Sequence, residues 1–281
     1  MRALKGHGTQ NDFVLLPDLD GVLDLRPEFV RALCDRHAGI GADGVLRVVR
    51  SQNHAEAKAV AAEAPFFMDY RNADGSLAEM CGNGLRLFMR YLQRASLVEH
   101  DATVATRGGI LRVRSGTDGN VSVEMGQPRI LADRPVVTVA LCGPRAALAA
   151  VAMPNPHVIV QLERRDELDA LDLSRPPQVV PALPEGQNVE FIVRADARRL
   201  TMRVHERGSG ETRSCGTGIC AVVVAAAAAD GSGPDGSTWQ VDVPGGTCTV
   251  VWRPDGGIVL SGPAVIVAEI ELDEDWLAAV R

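Results

Sequence analysis

The sequence predicts an α+β protein of two pseudo-symmetric halves, each a curled, mostly antiparallel and barrel-like β-sheet around a buried central α-helix. Three observations lead to this prediction: many short β-rich runs, two helices that each follow a cysteine-glycine turn, and an echo between the first and second parts of the chain. The expected halves are residues 1–125 together with 267–281, and residues 126–266.

The expected strands are short apolar runs bounded by Gly, Pro, Asn and Asp, as strands usually are. They comprise residues 12–16, 45–49, 110–113, 121–125, 136–141, 157–161, 190–193, 202–206, 241–243, 248–252, 258–261 and 264–271. Residues 51–65 are rich in Ala and polar residues without a clear period, so this segment is interpreted as a loop or a surface helix.

Helices are expected at residues 27–36, 85–97 and 219–230. The last of these is apolar on every face, which is typical of a helix buried on all sides. A curled sheet wrapped around it is the economical arrangement in a half that contains so many short strands. The helix over 85–97 differs, because Arg86, Arg90 and Arg94 give it a polar stripe.

The echo consists of three motif pairs in the same order. Cys-Gly-x-Gly opens a helix at Cys81 and again at Cys215, with a polar residue nine positions before each cysteine. Upstream, NDFVLL is matched by NPHVIV, and GADG by GQNV. Three ordered pairs indicate two similarly folded halves with a boundary near Gly126.

Composition narrows the function classes. The chain has 281 residues, 46% of them hydrophobic, which permits a sizeable core. A net charge of −7 argues against nucleic-acid or anionic-membrane partners. The first residues lack the apolar segment of a secretory signal, and the longest apolar run, residues 219–229, is too short to span a bilayer. We therefore expect a cytoplasmic protein.

The cysteines and histidines do not show the paired spacing of a metal site, so no metal is predicted. In a reducing cytosol the six cysteines should be free thiols. His7 and His157 lie within the motif segments, where each either lines a pocket or has a structural role.

Cys81 and Cys215 are the candidate chemical groups, because each stands at the N-terminus of an expected helix. Backbone N–H groups and the helix dipole favour a thiolate there, lowering a pKa that is about 8.5 in free cysteine. The neighbouring N–H groups could also bind a carboxylate. If two such thiols faced one carbon atom, one as thiolate would remove a proton and the other would deliver one to the opposite face. That reaction inverts a stereocentre.

The motifs KGHGTQNDF, GIGADG, NADGSLAEMCGNG, NPH, GQNVEF and ERGSGETRSCGTG resemble those of the diaminopimelate epimerase family, in the family's order and over nearly the whole chain. The resemblance implies a cofactor-independent isomerase that interconverts LL- and meso-2,6-diaminopimelate for lysine and peptidoglycan precursor synthesis. It also implies a homodimer and a C-terminal strand that returns to the first domain.

By motif, Cys81 and Cys215 match the family's two catalytic bases. Arg207 could hold a carboxylate bidentately and Glu206 could accept from an ammonium group, both at the distal centre that does not react. One departure is Gly44, where many members have Gln. The residues that match the family's substrate-binding positions are Asn11, Asn72, Gly82, Asn83, Asn155, Asn188, Glu206, Arg207, Gly216 and Thr217.

Two alternatives stay open. A proline or hydroxyproline racemase-like activity shares the two-thiol chemistry, although a ring amino acid offers no second zwitterion for Glu206 and Arg207. A thiol redox or binding protein would instead form a regulatory disulfide between Cys81 and Cys215. A nucleotide site at GIGADG is disfavoured, because the motif neither follows a strand nor opens a helix.

Overall fold

A computed structural model describes residues 1–140 and 142–280 of the chain. It contains two compact units, which we call the N-terminal unit (Met1–Val123 with Pro263–Arg281) and the C-terminal unit (Glu124–Gly262). The junctions differ by two and four residues from the expected halves. Leu141, the last residue of the expected strand 136–141, and Arg281 lie outside the described residues.

The strands are β1 (Arg2–Gly8), β2 (Asn11–Pro17), β3 (Gly44–Arg50), β4 (Phe66–Asn72), β5 (Asp101–Thr106), β6 (Gly109–Ser115), β7 (Val121–Gly126), β8 (Arg129–Leu131), β9 (Val136–Val139), β10 (Gly143–Ala146), β11 (Ala149–Ala152), β12 (Pro156–Leu162), β13 (Gln178–Val180), β14 (Asn188–Asp196), β15 (Arg199–Glu206), β16 (Gly210–Thr212), β17 (Thr238–Val243), β18 (Gly246–Trp252), β19 (Ile258–Gly262) and β20 (Ala264–Glu271). The helices are α1 (Pro27–Cys34), α2 (Gly82–Arg94), α3 (Arg165–Asp169), α4 (Gly216–Ala229) and α5 (Glu274–Val280). Two short 3-10 turns, Ser51–Asn53 and Lys58–Val60, occupy the segment interpreted as a loop or surface helix.

The two units repeat one order of strand pairing. In the N-terminal unit the order is β20-β1-β2-β3-β4-β5-β6-β7, and in the C-terminal unit it is β8-β11-β12-β14-β15-β17-β18-β19. The third and fifth pairings are parallel in both units and the others are antiparallel. The predicted fold class is confirmed. Strand β20 pairs with β1, so a strand near the C-terminus belongs to the N-terminal unit.

The strand register corrects one of the motif matches. Phe13 pairs with Gly44 between β2 and β3, and His157 pairs with Asn188 between β12 and β14. Phe13 and His157 each follow the first asparagine of their motif by two residues, so Gly44 is the counterpart of Asn188. The match of GADG with GQNV had aligned Asp43 with Asn188 and was wrong by one residue. This matters because a one-residue shift moves a side chain to the other face of a strand.

Each unit holds one buried helix against its sheet. Helix α4 contacts strands β11, β12, β14, β15, β17, β18 and β19, and its residues are fully buried from Ile219 to Ala227. Helix α2 contacts β1, β2, β3, β6 and β20. Both helices start three residues earlier than expected, at Gly82 and Gly216, because the preceding cysteine is the N-cap.

The expected polar stripe on α2 needs correction at Arg86, which is completely buried. Its Nη2 donates to Thr9 Oγ1 at 2.9 Å, and its Nε donates to the Pro263 carbonyl at 3.4 Å. Thr9 and Gln10 form the two-residue turn between β1 and β2 and both have positive φ, 48° and 61°. Arg86 therefore holds the turn that precedes β2.

The remaining helices cover apolar clusters. Helix α1 contacts α5, and Phe29, Val30 and Leu33 of α1 are buried in a cluster that also includes Leu277 of α5. No helix within residues 1–140 and 142–280 has the length and apolar character required to cross a membrane.

Candidate active site

Cys81 and Cys215 occupy the same local structure in their respective units. Each is the extended N-cap of the buried helix, with φ/ψ of −144°/118° at Cys81 and −115°/112° at Cys215. Each sulfur accepts a hydrogen bond from the backbone N–H three residues later, Gly84 or Gly218, at 3.4 Å. The sulfur thus lies at the positive end of a helix dipole, as the sequence predicted.

In the N-terminal unit, Asn11 lies at the sulfur of Cys81. The Cys81 thiol donates to Asn11 Oδ1 at 3.5 Å, and the same oxygen accepts from Asn83 Nδ2 at 3.2 Å. Asn11 begins β2 directly after the turn held by Arg86, and Asn83 is fully buried in the first turn of α2. Gly8 makes the close approach possible, because a Cβ there would lie 2.6 Å from the Asn83 carbonyl oxygen.

Asn72 and Asn155 lie at strand ends. Asn72 ends β4, pairs with Gly44 of β3, and donates through Nδ2 to Ser76 Oγ at 3.0 Å. Asn155 lies in the turn between β11 and β12, and its carbonyl accepts from the Met153 N–H at 3.0 Å. Their place in substrate binding stays a prediction.

In the C-terminal unit, the polar groups at Cys215 come from three elements. Asn188 Nδ2 at the start of β14 donates to the sulfur at 3.7 Å, and Thr217 Oγ1 on α4 lies 3.4 Å from it. The Asn188 oxygen accepts from the Arg207 backbone N–H at 2.9 Å, which leaves the Asn188 NH2 group to face Cys215. Burial, with the charges of Glu206 and Glu190 adding to it, raises the pKa of the Cys215 thiol well above its usual value.

Glu206 and Arg207 take separate partners. The Glu206 carboxyl accepts from Thr212 Oγ1 and hydrogen-bonds with Cys215, while burial raises its pKa. This places the carboxyl at the Cys215 sulfur, whereas the resemblance predicted a role at the distal ammonium group. The exposed Arg207 side chain donates to the Glu185 carbonyl and packs on Gly186, where a Cβ would lie 2.9 Å from Arg207 Cδ.

A completely buried imidazole–carboxylate pair lies against the first turn of α4. His157 Nδ1 is 2.6 Å from Glu190 Oε1, and both side chains have no exposed area. A Cβ on Gly218 would lie 2.6 Å from the same Glu190 oxygen, so a glycine at this helix position leaves room for the carboxylate. Two other atoms of the pair, His157 Nε2 and Glu190 Oε2, are buried without a hydrogen-bond partner among the described residues.

The counterparts of this pair in the N-terminal unit are apolar. Phe13 corresponds to His157 by register, and Leu46, two residues after Gly44, corresponds to Glu190. Leu46 lies against the start of α2, because its Cδ2 is 3.2 Å from where a Cβ on Gly84 would be. The two units thus differ in polarity at the same structural position.

His157, Glu190 and Cys215 each offer one potential metal-ligand atom within 4.8 Å of the others. Cys, His and Glu are ligand types that zinc accepts. The expectation that the chain uses no metal or other cofactor stays a prediction. His7, the other histidine of the motifs, accepts through Nδ1 from the Gln10 N–H at 3.3 Å and so supports the turn before Asn11.

Two residues of the site were not among the sequence candidates, although both stand in quoted motifs. Glu190 is the glutamate of GQNVEF, and Asp43 is the aspartate of GIGADG. A carboxylate within an otherwise apolar run, such as Glu190 between Val189 and Phe191, was a usable signal for the first of them, because unpaired carboxylates are rarely buried.

Comparison with known proteins decides the family. A family model described as diaminopimelate epimerase matches residues 3–131 and 149–267. The chain belongs to the diaminopimelate epimerase family. The diaminopimelate epimerase of Streptomyces coelicolor is 55% identical, over 99% of this chain and 97% of that protein. That of Mycolicibacterium smegmatis is 45% identical, over 98% of each chain.

Solved structures with low sequence identity share the fold. A phenazine biosynthesis protein of Bacillus anthracis is 16% identical with a TM-score of 0.71, covering 97% of this chain and 99% of its own. A hydroxyproline epimerase of Agrobacterium vitis, solved with bound trans-4-hydroxy-L-proline, is 14% identical with a TM-score of 0.67, covering 100% of this chain and 98% of its own. At these identities the likeness concerns the fold alone.

Proposed function

We propose that this diaminopimelate epimerase family member interconverts LL- and meso-2,6-diaminopimelate by proton transfer between two cysteine bases, Cys81 and Cys215. The observation that carries the proposal is the matched pair of cysteine N-caps, one in each unit, each with an asparagine amide at the sulfur. The identities of 43–55% to proteins named diaminopimelate epimerase support the substrate.

The chemistry assigned to each group follows from its surroundings. One cysteine as thiolate removes the α-proton, and the other as thiol delivers a proton to the opposite face of the carbon. Negative charge then builds on the α-carboxylate, which backbone N–H groups at a helix start would stabilise. The helix-start residues proposed for this are Gly82 and Asn83 on α2, and Gly216 and Thr217 on α4.

The remaining polar residues would bind the substrate without taking a proton. A substrate with two zwitterionic centres needs donors and acceptors, and asparagine offers both without adding charge. Arg207 is suited to a substrate carboxylate, because its exposed guanidinium donates to the Glu185 carbonyl oxygen, which a carboxylate can replace. The asparagines proposed for this role are Asn11, Asn72, Asn155 and Asn188.

For Glu206 we propose a second role, at the sulfur of Cys215. Its carboxyl hydrogen-bonds with Cys215, and its charge contributes to the raised pKa of that thiol. We propose that Glu206 keeps Cys215 protonated until a substrate ammonium group neutralises the carboxylate, after which the thiol ionises more readily. Binding and activation of the base would then be linked.

The cellular setting proposed is the cytoplasm, on the route to lysine and peptidoglycan precursors, with a homodimer as the assembly. The acidic net charge of −7 is consistent with a small-molecule substrate rather than nucleic acid. The proposal includes no cofactor and no metal.

Proton NMR of LL-diaminopimelate in D₂O tests the reaction, with reduced enzyme, without pyridoxal phosphate or metal, and with proline as a parallel substrate. We expect deuterium at the α-carbon together with the meso isomer. Exchange with proline alone would replace the proposal by a proline racemase-like activity. Exchange with neither substrate would contradict the two-base proposal, and a Cys81→Ala, Cys215→Ala double variant gives the background rate.

A further inference from the structure

The GIGADG motif places Asp43 directly before β3, where its carboxylate accepts hydrogen bonds from the start of β2. Asp43 Oδ2 accepts from Asn11 Nδ2 at 2.8 Å and from the Asp12 backbone N–H at 3.1 Å. The Asp43 N–H in turn donates to the Asp12 carbonyl at 2.9 Å. The Asn11 amide is therefore held from the side opposite to Cys81.

This contact decides which way round the Asn11 amide lies. A carboxylate only accepts hydrogen bonds, so the amide atom that faces Asp43 has to be the nitrogen. The oxygen must then face the other way, toward Cys81 Sγ at 3.5 Å and Asn83 Nδ2 at 3.2 Å. An asparagine without such a fixed partner could present either end to the thiol.

A cluster of charges holds the carboxylate itself. Arg36 Nη2 donates to Asp43 Oδ1 at 2.8 Å and to Asp12 Oδ1 at 2.9 Å, and Lys5 Nζ donates to Asp12. Behind this cluster lies Cys34, whose burial raises its thiol pKa to about 12. Because Arg36 fixes one oxygen of Asp43, the other oxygen stays directed at Asn11.

We infer that Asp43 is a positioning residue that locks the Asn11 amide with its oxygen toward Cys81 and so favours the protonated form of Cys81 in the free enzyme. An acceptor beside a thiol favours the protonated form, whereas an amide NH2 group would favour the thiolate. The inference rests on the proposed role of Cys81 as one of the two bases. It adds a reason why that cysteine starts with a proton.

The test follows the reactivity of Cys81 instead of turnover. In a Cys215→Ala background, alkylation of Cys81 by iodoacetamide is measured across pH by mass spectrometry, in the parent and with Asp43→Ala or Asp43→Asn. Only the thiolate reacts, so the midpoint of the profile reports its formation. Cys248 of β18, which is buried in the C-terminal unit, serves as the reference peptide. Circular dichroism with thermal unfolding checks that each variant is folded.

Asp43→Ala removes the acceptor and releases the Asn11 amide, so the midpoint should fall by about one pH unit. Asp43→Asn keeps an oxygen that Asn11 Nδ2 can reach but removes the charge, so its midpoint should move by less than half as much. The inference is overturned if folded Asp43→Ala keeps the parent midpoint. It is equally overturned if both variants shift alike, since the charge alone would then be responsible.

The two proposals fail in distinguishable ways. If the wild-type protein shows no diaminopimelate exchange, the proposed function is wrong whatever the alkylation profile shows. If exchange occurs but the profile does not respond to Asp43, only the positioning role is wrong. If Asp43→Ala does not fold, Asp43→Asn decides: a midpoint about one pH unit lower contradicts the inference, and a midpoint near that of the parent supports it.

Discussion

Leu46 packs against the first turn of α2, whereas Glu190, at the same position of the strand register, packs against the first turn of α4. Glu190 pairs with His157, whose counterpart in the N-terminal unit is Phe13. Around the start of β2, the N-terminal unit carries two partly exposed aspartates, Asp12 and Asp43, which pair with Arg36 and, at Asp12, also with Lys5. The C-terminal unit instead buries a carboxylate and an imidazole completely.

The duplicated frame therefore fixes the position of each cysteine in its unit but not the electrostatic surroundings of its sulfur. Asn11 offers an oxygen to Cys81, because its nitrogen is taken by Asp43. Asn188 offers a nitrogen to Cys215, because its oxygen is taken by the Arg207 N–H. Two bases that must hold different protonation states at the same moment benefit from unlike neighbours.

Removal of either thiol should have the largest effect on activity. Cys81→Ala and Cys215→Ala should each reduce epimerisation by at least about 1,000-fold, since each removes a group that donates or accepts the transferred proton. NMR of LL-diaminopimelate in D₂O measures the rate. Both variants should keep the circular dichroism spectrum of the parent. Wild-type epimerisation in either variant would contradict the assignment of two bases.

The buried pair can be converted to its apolar counterpart. Glu190→Leu alone should lower the free energy of unfolding by about 2–4 kcal/mol, because it leaves the His157 Nδ1 in the interior without its partner. His157→Phe combined with Glu190→Leu copies the N-terminal unit and should cost less than the sum of the single variants. Urea unfolding of the two single variants and the double variant gives the coupling.

If the losses of the two single variants add up to the loss of the double variant, the two side chains do not depend on each other. Glu190→Gln is the matched control for size, because it keeps an oxygen for the imidazole and removes only the charge. Its loss of stability should be smaller than that of Glu190→Leu.

The glycines of the two helix starts offer a smaller and more local test. Replacement of glycine by alanine favours the helical conformation by about 1 kcal/mol at either position. At Gly84 the new Cβ would meet Leu46 Cδ2 at 3.2 Å, so Gly84→Ala should change the free energy of unfolding by less than about 1 kcal/mol. At Gly218 it would meet Glu190 Oε1 at 2.6 Å and push it from His157, so Gly218→Ala should destabilise by about 1–3 kcal/mol.

Thermal and urea unfolding of the two alanine variants compare these sites directly. An equal effect at both would mean that the Glu190 carboxylate moves aside at no cost. In a Glu190→Leu background, Gly218→Ala should lower the free energy of unfolding by less than it does in the parent.

The sequence predicted the parts of this site that depend on local pattern. The cysteine turns, the buried helices they start and the duplicated order of motifs all follow from spacing within a few residues. Strand β4 was not predicted, because Asp69 interrupts its apolar run. That carboxylate is fully buried, and it pairs with Arg71 at 2.9 Å and Arg107 at 2.8 Å, a contact that only the folded chain provides.

The positions of Glu190 and Asp43 in the site were also beyond local pattern. Which face of β14 carries Glu190 depends on its register with β12, and register is set by pairing between segments about thirty residues apart. Asp43 reaches Asn11 because β2 and β3 are parallel neighbours, which no spacing within either strand reveals.

The two units also differ at Asp12, which belongs to the charge cluster of the N-terminal unit. The corresponding residue of the motif pair in the C-terminal unit is the uncharged Pro156. Burial raises the pKa of Asp12, but hydrogen bonds from Arg36 and Lys5 outweigh burial and lower the pKa to about 2. A carboxyl whose pKa falls on folding stabilises the fold above its unfolded pKa of about 3.9, and this stabilisation is lost as the pH falls through about 2.

Asp12→Asn should therefore lower the free energy of unfolding by about 1–2 kcal/mol at pH 7, a figure that allows for screening of these partly exposed pairs. The difference from the parent should shrink below pH 4 and approach zero near pH 2, followed by urea unfolding at each pH. Asp24→Asn is the matched control, because Asp24 is 82% exposed and pairs with Arg26 only at 3.5 Å. A loss that stays constant down to pH 2 would assign the effect of Asp12 to packing and not to its charge.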